Sequence, residues 1–208
     1  VECDFIKNSD QLEKAMEYIH KTHEIPITED VKVFDDVAEG KKLMKIASAT
    51  KGNLFREFED IIEKVNVLDG LVKAEQEKYG IEPVISHNDV YEPNYIANED
   101  KQLYLIDWEY AGMQDPHVDI AMFCIYSMYD KTQTDRLIDL YFEHQCPDEV
   151  RTKIYCYIAV CGLLWSNWCE YKRQFGVEFG EYSLRQYRFA KDYSRYVLSQ
   201  TGIRETMK

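Results

Sequence analysis

The chain has 208 residues, and its 25 Lys and Arg against 38 Asp and Glu give a formal net charge of −13. An apolar share of 45% and a charged share of 30% are typical of a soluble globular chain with a sizeable core. The acidic surface repels nucleic-acid phosphates, and no apolar run approaches the roughly 18 residues of a membrane span. We therefore expect a cytoplasmic protein that binds neither nucleic acid nor membrane.

The first 80 residues predict helices. Apolar residues recur at helical spacing over residues 9–19, behind a serine that can cap the helix. A short amphipathic stretch follows at residues 37–47 and a loop at residues 52–53. A longer helix is predicted over residues 55–79, and Gly80 is well placed to end it.

The pattern then changes to short β-type runs. Residues 84–85 are apolar, and the runs at 95–97 and 103–106 flank a polar segment, which predicts a hairpin. After Pro116 the chain again predicts helices, at residues 118–129, 134–144, 148–175 and 182–199. The predicted fold class is therefore α+β, mostly α, with one small hairpin near its middle.

Polar side chains collect at the ends of this hairpin. Asp89 and Asn94 lie five residues apart before the first strand, and Asp107 ends the second strand. A hairpin places Asn94 beside Asp107, where a carboxylate and an amide oxygen suit Mg²⁺, and Asp89 is placed to accept a hydroxyl proton. Protein kinases use the same spacing for phosphoryl transfer. The simpler alternative for each residue alone is a turn-forming Asp or Asn.

The segments VISHNDVYEPNYI and LYLIDWEYAGMQDPHVDIAMF resemble the choline/ethanolamine kinases, which have a protein-kinase-like fold of the aminoglycoside-phosphotransferase group. The strongest match covers residues 84–123 and is of the bacterial choline kinase type. The resemblance implies a phosphotransferase that uses ATP as co-substrate and Mg²⁺ as cofactor. It makes Asp89 catalytic, with His87 and Asn88 in the same motif, assigns the metal to Asn94 and Asp107, and gives Asp119 the structural role of bracing the catalytic loop.

The implied substrate is a small alcohol, choline, whose quaternary ammonium group binds to aromatic faces. The resemblance places substrate-binding residues at six positions: Glu109, Tyr110, Tyr126, Trp165, Trp168 and Tyr187. Spacing alone would make the two tryptophans core residues. His20 and His23 either echo a Leu-His pair of the family or are ordinary helix-end histidines. His117, beside Pro116, is expected to be exposed.

Nothing in the sequence predicts a phosphate-binding lobe. There is no G-x-G-x-x-G segment and no early strand with a suitable lysine. We expect residues 1–208 to form a single C-terminal kinase-like lobe that is inactive alone, with its N-terminal ATP-binding lobe missing. Residues 1–6 would be a hinge remnant, 84–110 the catalytic and metal loops, and 118–200 the helical substrate-binding part. The alternatives are an ethanolamine or aminoglycoside kinase, or a non-catalytic pseudokinase-like module.

Overall fold

The computed structural model describes residues 5, 9–28, 31, 33, 42, 55, 57–100 and 102–201. Its contacts divide the chain into two compact units. Unit 1 comprises residues 1–34 and 81–151, and unit 2 comprises residues 35–80 and 152–208. No helix among the described residues is long and apolar enough to cross a bilayer.

The helices that the structure describes wholly within unit 1 are α1 (Ser9–His23), α3 (His117–Tyr126) and α4 (Lys131–Tyr141). Helix α1 buries the apolar stripe that predicted it, and it packs against α4 and against the strand Val84–Ser86, which is β1. Helix α3 is apolar on all sides and almost fully buried, whereas α4 begins with a capping box made by Asp130 and Gln133. Asp119 lies in the first turn of α3 and Tyr126 is its last residue.

Two antiparallel strand pairs complete unit 1. The predicted hairpin is confirmed as β2 (Tyr95–Ala97) and β3 (Leu103–Leu105), with Tyr95 opposite Leu105. A second pair joins β1 (Val84–Ser86) to β4 (Gly112–Gln114), with Ser86 opposite Gly112. The β4 strand was not predicted. Together the two pairs bring the segments after β1 and after β3 into one region.

Unit 2 is helical and contains α2 (Phe58–Tyr79), most of α5 (Asp148–Arg173) and α6 (Tyr182–Thr201). Gly80 ends α2 as predicted, in the left-handed conformation at φ 59°, and its N–H donates to the Gln76 carbonyl. Helices α5 and α6 approach closely at Gly162. A Cβ atom at that position would lie 2.8 Å from the Gln186 carbonyl oxygen.

The predicted α+β, mostly α class is confirmed, and each of the later helices lies within a few residues of its predicted bounds. The helix α2 begins three residues later than predicted, after Glu57 in a left-handed conformation. Residues 52–53 lie outside the described residues, as does all of 37–47 except Lys42. Of the predicted hinge remnant only Phe5 is described, and it packs against Tyr95 and Phe123.

Candidate active site

The segment after β1 is held through its backbone by one buried carboxylate. The His87 N–H donates to Asp119 Oδ2 at 2.9 Å, and the Asn88 N–H donates to Asp119 Oδ1 at 2.8 Å. Asp119 is fully buried. Two charge-assisted bonds from consecutive amides leave the peptide before Asp89 little freedom, so Asp119 braces this loop.

His87 fastens the same loop to the segment after β3. Its ring is fully buried, Nε2 donates to the Ile106 carbonyl at 3.0 Å, and Nδ1 accepts the Asp89 N–H at 3.2 Å. One nitrogen donates and the other accepts, as in a neutral imidazole. Although we placed His87 in the catalytic motif, these contacts give it a positioning function between Asp89 and the residue that precedes Asp107.

Asn88 adopts the left-handed conformation at φ 61°, which Asn tolerates better than most residues. Its side chain is buried, and its amide donates to the Tyr110 carbonyl at 3.1 Å. Asn88 therefore also acts through positioning, since it turns the chain sharply just before Asp89 and ties that turn to the segment beyond Asp107.

Asp89 is partly buried and receives polar contacts from two sides. The Asn94 amide donates to Asp89 Oδ2 and to the Asp89 carbonyl, both at 2.9 Å. Burial raises the pKa of the Asp89 carboxyl above its ordinary value, and the charge of Asp107 acts in the same direction. The Tyr126 hydroxyl, the Asn94 amide and His87 oppose that rise in pKa. Asp89 is thus an oriented carboxylate with increased basicity, as a general base requires.

Asn94 and Asp107 lie beside each other in the hairpin, because the Ile106 N–H donates to the Asn94 carbonyl at 2.9 Å. Asp107 is exposed and left-handed at φ 64°. Both N–H bonds of the Asn94 amide point to Asp89, so its Oδ1 is the atom left for a metal. The described residues contain no cluster of three or more His, Cys, Asp or Glu suited to a metal. The predicted site instead combines one carboxylate with one amide.

Three of the predicted substrate residues belong to unit 1. Glu109 is exposed and Tyr110 is half-buried. Burial raises the pKa of the Tyr110 hydroxyl, and the charges of Glu109, Asp89 and Asp107 raise it further, so Tyr110 lies near these three carboxylates. Tyr126 also lies near Asp89, since its hydroxyl lowers the pKa of the Asp89 carboxyl. The structure therefore brings these tyrosines to Asp89.

The other three candidates belong to unit 2. Trp165 and Trp168 are half-buried and meet edge to face, with ring centroids 5.3 Å apart. Lys172 Nζ lies 5.3 Å from the centroid of Trp168, so one indole face already binds an ammonium group. Tyr187 is different, because it is buried and stacked on Phe55 at 4.4 Å. Packing accounts for the Tyr187 ring, and its substrate contact stays a prediction.

Two histidines whose roles the sequence did not predict contact buried carboxylates. His23, left open between two interpretations, places Nε2 at 3.1 Å from Asp119 Oδ2. His117 was expected to be exposed, but its side chain is only 11% exposed and its Nδ1 lies 3.0 Å from Asp115 Oδ1. That expectation is wrong because β4 and α3 bury the Asp115 turn that holds the imidazole.

The hairpin also has an exposed apolar face that the sequence analysis did not single out. Ile96 and Tyr104 are opposite each other in the register, and Ile106 follows Tyr104 on the same side. All three are more than 40% exposed. Alternation along the two strands was the signal that could have shown this face.

Comparisons with known proteins indicate the family of this chain. A family model described as choline/ethanolamine kinase matches residues 1–158. Protein LicA of Haemophilus influenzae is 32% identical over 108 residues, which make up 48% of this chain and 39% of that protein. The chain thus spans well under half of this curated relative.

Solved structures show the fold. A choline kinase LicA from Streptococcus pneumoniae is similar with a TM-score of 0.75 and 22% identity, over 94% of this chain and 67% of that one. A LicA structure in complex with AMP gives a TM-score of 0.76 and 22% identity, over 95% of this chain and 66% of that one. The fold is therefore kinase-like, and the match of the family model to most of the chain shows that it belongs to the choline/ethanolamine kinase family.

Proposed function

We propose that the protein containing this chain transfers a phosphoryl group from ATP to the hydroxyl of a small amino alcohol, converting choline to phosphocholine. Residues 1–208 form the lobe that supplies catalysis and binds the alcohol, and the phosphate-cradling lobe is a separate part of the protein. The observation that carries the proposal is the oriented Asp89 carboxylate with its raised pKa, beside Asn94 and Asp107. Membership in the choline/ethanolamine kinase family supports it.

In this mechanism Asp89 orients the alcohol hydroxyl and accepts its proton while the phosphoryl group transfers. The raised pKa makes the carboxylate a better proton acceptor near neutral pH than an ordinary Asp. The Asn94 amide donates to Asp89 Oδ2 and so fixes the orientation of the carboxylate. His87, Asn88 and Asp119 keep the loop in place.

Mg²⁺ would be held by Asn94 Oδ1 and the Asp107 carboxylate, an oxygen donor set that suits this hard cation. When bound, the ion neutralises charge on the nucleotide phosphates. The fit rests on two observations. The Asn94 amide is oriented with its nitrogen on Asp89, and the Asp107 carboxylate is exposed.

The exposed hairpin face is suited to the flat base of the nucleotide. Ile96 and Ile106 follow Asn94 and precede Asp107, so apolar surface lies directly beside the proposed metal ligands. An apolar surface of this kind gains free energy when an aromatic base covers it. The AMP complex of a protein with a similar fold supports nucleotide binding.

Choline is favoured by the aromatic residues. Its quaternary ammonium donates no N–H hydrogen bond and binds to π faces, whereas ethanolamine carries three N–H donors that need oxygen acceptors. Lys172 Nζ lies 5.3 Å from the Trp168 ring centroid, which supports a role for this ring in attracting a cation. Trp165 adds a second half-exposed ring, and Tyr110 supplies another near Asp89.

The catalytic assignment is tested with the whole protein. Asp89→Asn keeps the size of the side chain but removes the proton acceptor, so we expect kcat to fall by about three orders of magnitude. Asp100→Asn, in the exposed hairpin turn, is the matched control and should leave kcat unchanged. Near-normal turnover in Asp89→Asn would refute the assignment.

The substrate is tested by comparing choline with ethanolamine. Each engaged aromatic face contributes about 0.5–2 kcal/mol, so two faces should give choline at least about a tenfold advantage in kcat/KM. Trp168→Ala should reduce this advantage more than it lowers turnover of ethanolamine. Phe175→Ala, which removes an exposed ring two residues beyond the end of the same helix, is the control. Equal use of both alcohols by the unsubstituted protein would contradict the choline assignment.

A further inference from the structure

Tyr141, the last residue of α4, is buried and makes polar contacts to two histidines of α1. Its hydroxyl lies 2.9 Å from His23 Nδ1, and its carbonyl accepts a hydrogen bond from His20 Nε2 at 2.7 Å. The His20 ring stacks on the Tyr141 ring with centroids 3.9 Å apart and planes within 8°. The Tyr141 ring is therefore fixed by packing, independently of its hydroxyl.

The direction of the hydrogen bonds at His23 follows from Asp119. A carboxylate only accepts, so the His23 Nε2 that lies 3.1 Å from Asp119 Oδ2 must carry a hydrogen. In a neutral imidazole Nδ1 is then the acceptor, and the Tyr141 hydroxyl donates to it. Burial raises the pKa of Tyr141, and the charges of Asp119 and Asp115 raise it further, so the hydroxyl keeps its proton.

These bonds continue to the catalytic loop. Asp119, which accepts from His23, also accepts the backbone N–H groups of His87 and Asn88, directly before Asp89. We propose that Tyr141 is a positioning residue of the phosphoryl transfer, whose hydroxyl fixes the His23 tautomer that holds Asp119 and, through it, Asp89. The inference about catalysis rests on the proposed function, whereas the inference about the tautomer does not.

Loss of the hydroxyl has a defined consequence. Without a donor at Nδ1, the hydrogen of His23 can lie on either nitrogen. When it lies on Nδ1, the Nε2 lone pair faces the Asp119 carboxylate, and the contact at 3.1 Å becomes repulsive. Asp119 can then shift, and small displacements of a catalytic group cost rate out of proportion to their size.

The first measurement is made on the unsubstituted protein labelled with ¹⁵N-histidine, and the His23 signal is assigned by its loss in His23→Gln. We expect the Nε2–H tautomer with a hydrogen-bonded Nδ1. Tyr141→Phe keeps the stacked ring and should convert His23 to a mixture of tautomers. Tyr129→Phe, another buried tyrosine of unit 1, is the control and should leave the His23 signal unchanged. An Nδ1–H tautomer in the unsubstituted protein overturns the proposal even if Tyr141→Phe does not fold.

The second measurement is a kinetic double-mutant cycle on the whole protein. Tyr141→Phe should lower kcat about 5- to 20-fold while KM for both substrates changes less than about twofold. Gln at position 23 keeps a donor for Asp119 but has no counterpart of Nδ1, so adding Tyr141→Phe to His23→Gln should not lower kcat further. Multiplicative effects would mean that Tyr141 acts independently of His23. If Asp89→Asn kept full turnover, the proposed function would fail, and the tautomer measurement would still decide the role of Tyr141.

Discussion

The bracing of the catalytic loop by Asp119 can be tested with one conservative substitution. Asp119→Asn preserves size but replaces one acceptor oxygen with a donor nitrogen. Oδ2 accepts from both His87 N and His23 Nε2, whereas Oδ1 accepts only from Asn88 N. The amide should therefore turn its nitrogen towards the Asn88 N–H, where two donors then face each other.

The cost follows from that geometry. A hydrogen bond to a charged group contributes about 1.5–3 kcal/mol, and the N–H of Asn88 is left buried without its acceptor. We expect the free energy of unfolding to fall by about 2–4 kcal/mol, measured by urea denaturation. Because Asn88 immediately precedes Asp89, we also expect kcat to fall about 100-fold or more.

Asp130→Asn is the matched control, since Asp130 is an exposed N-cap and Asn caps helices equally well. Asp130→Asn should change neither the free energy of unfolding nor kcat measurably. The bracing argument would be wrong if the free energy of unfolding of Asp119→Asn lay within about 0.5 kcal/mol of that of the unsubstituted protein and the variant kept at least a third of its kcat.

Two further predictions concern pH and packing. The Tyr126 hydroxyl lowers the pKa of Asp89, so Tyr126→Phe should raise it. Because the proposed reaction needs ionised Asp89, the acid limb of the profile of kcat/KM against pH should move to higher pH, and an unmoved limb would remove Tyr126 from the site. Gly162→Ala places a methyl 2.8 Å from a carbonyl oxygen of α6 and should lower the free energy of unfolding by about 1–3 kcal/mol. A Cβ at Gly70 would have nothing within 4 Å, so Gly70→Ala should instead raise the free energy of unfolding by up to about 1 kcal/mol. Changes of the same sign in the two variants would contradict the packing argument.

The elements that the sequence predicted correctly carry a local signal. Helical spacing and the capping serine at Ser9 predicted α1, and Gly80 marked the end of α2. The hairpin followed from two β-type runs around a polar turn. By contrast, β4 is only Gly112–Gln114 and becomes a strand because β1 pairs with it, 26 or more residues earlier in the chain. No local pattern predicts a pairing of that kind.

The same distinction applies inside the candidate site. The motif residues Asp89, Asn94 and Asp107 could be named because their spacing is diagnostic, and the hairpin register places two of them side by side. The contacts that orient them join residues far apart in sequence, such as His23 with Asp119, 96 positions later. A histidine near the end of an amphipathic helix has the same local pattern whether it faces solvent or a buried carboxylate. Its role is decided by which element packs against the helix.

Two residues of the site show how the fold sustains an unfavourable backbone. Asn88 and Asp107 are both left-handed, a conformation that costs free energy in a non-glycine residue. Each is flanked by a bond that compensates it: Asn88 N donates to Asp119, and the carbonyl of Ile106, before Asp107, accepts from His87. The turn at Asn88 is therefore stabilised from α3, and the turn at Asp107 is stabilised from the catalytic loop. The site depends on the packing of unit 1 as a whole, which is why a substitution at Asp119 should affect catalysis although its carboxylate bonds only to the loop backbone and His23.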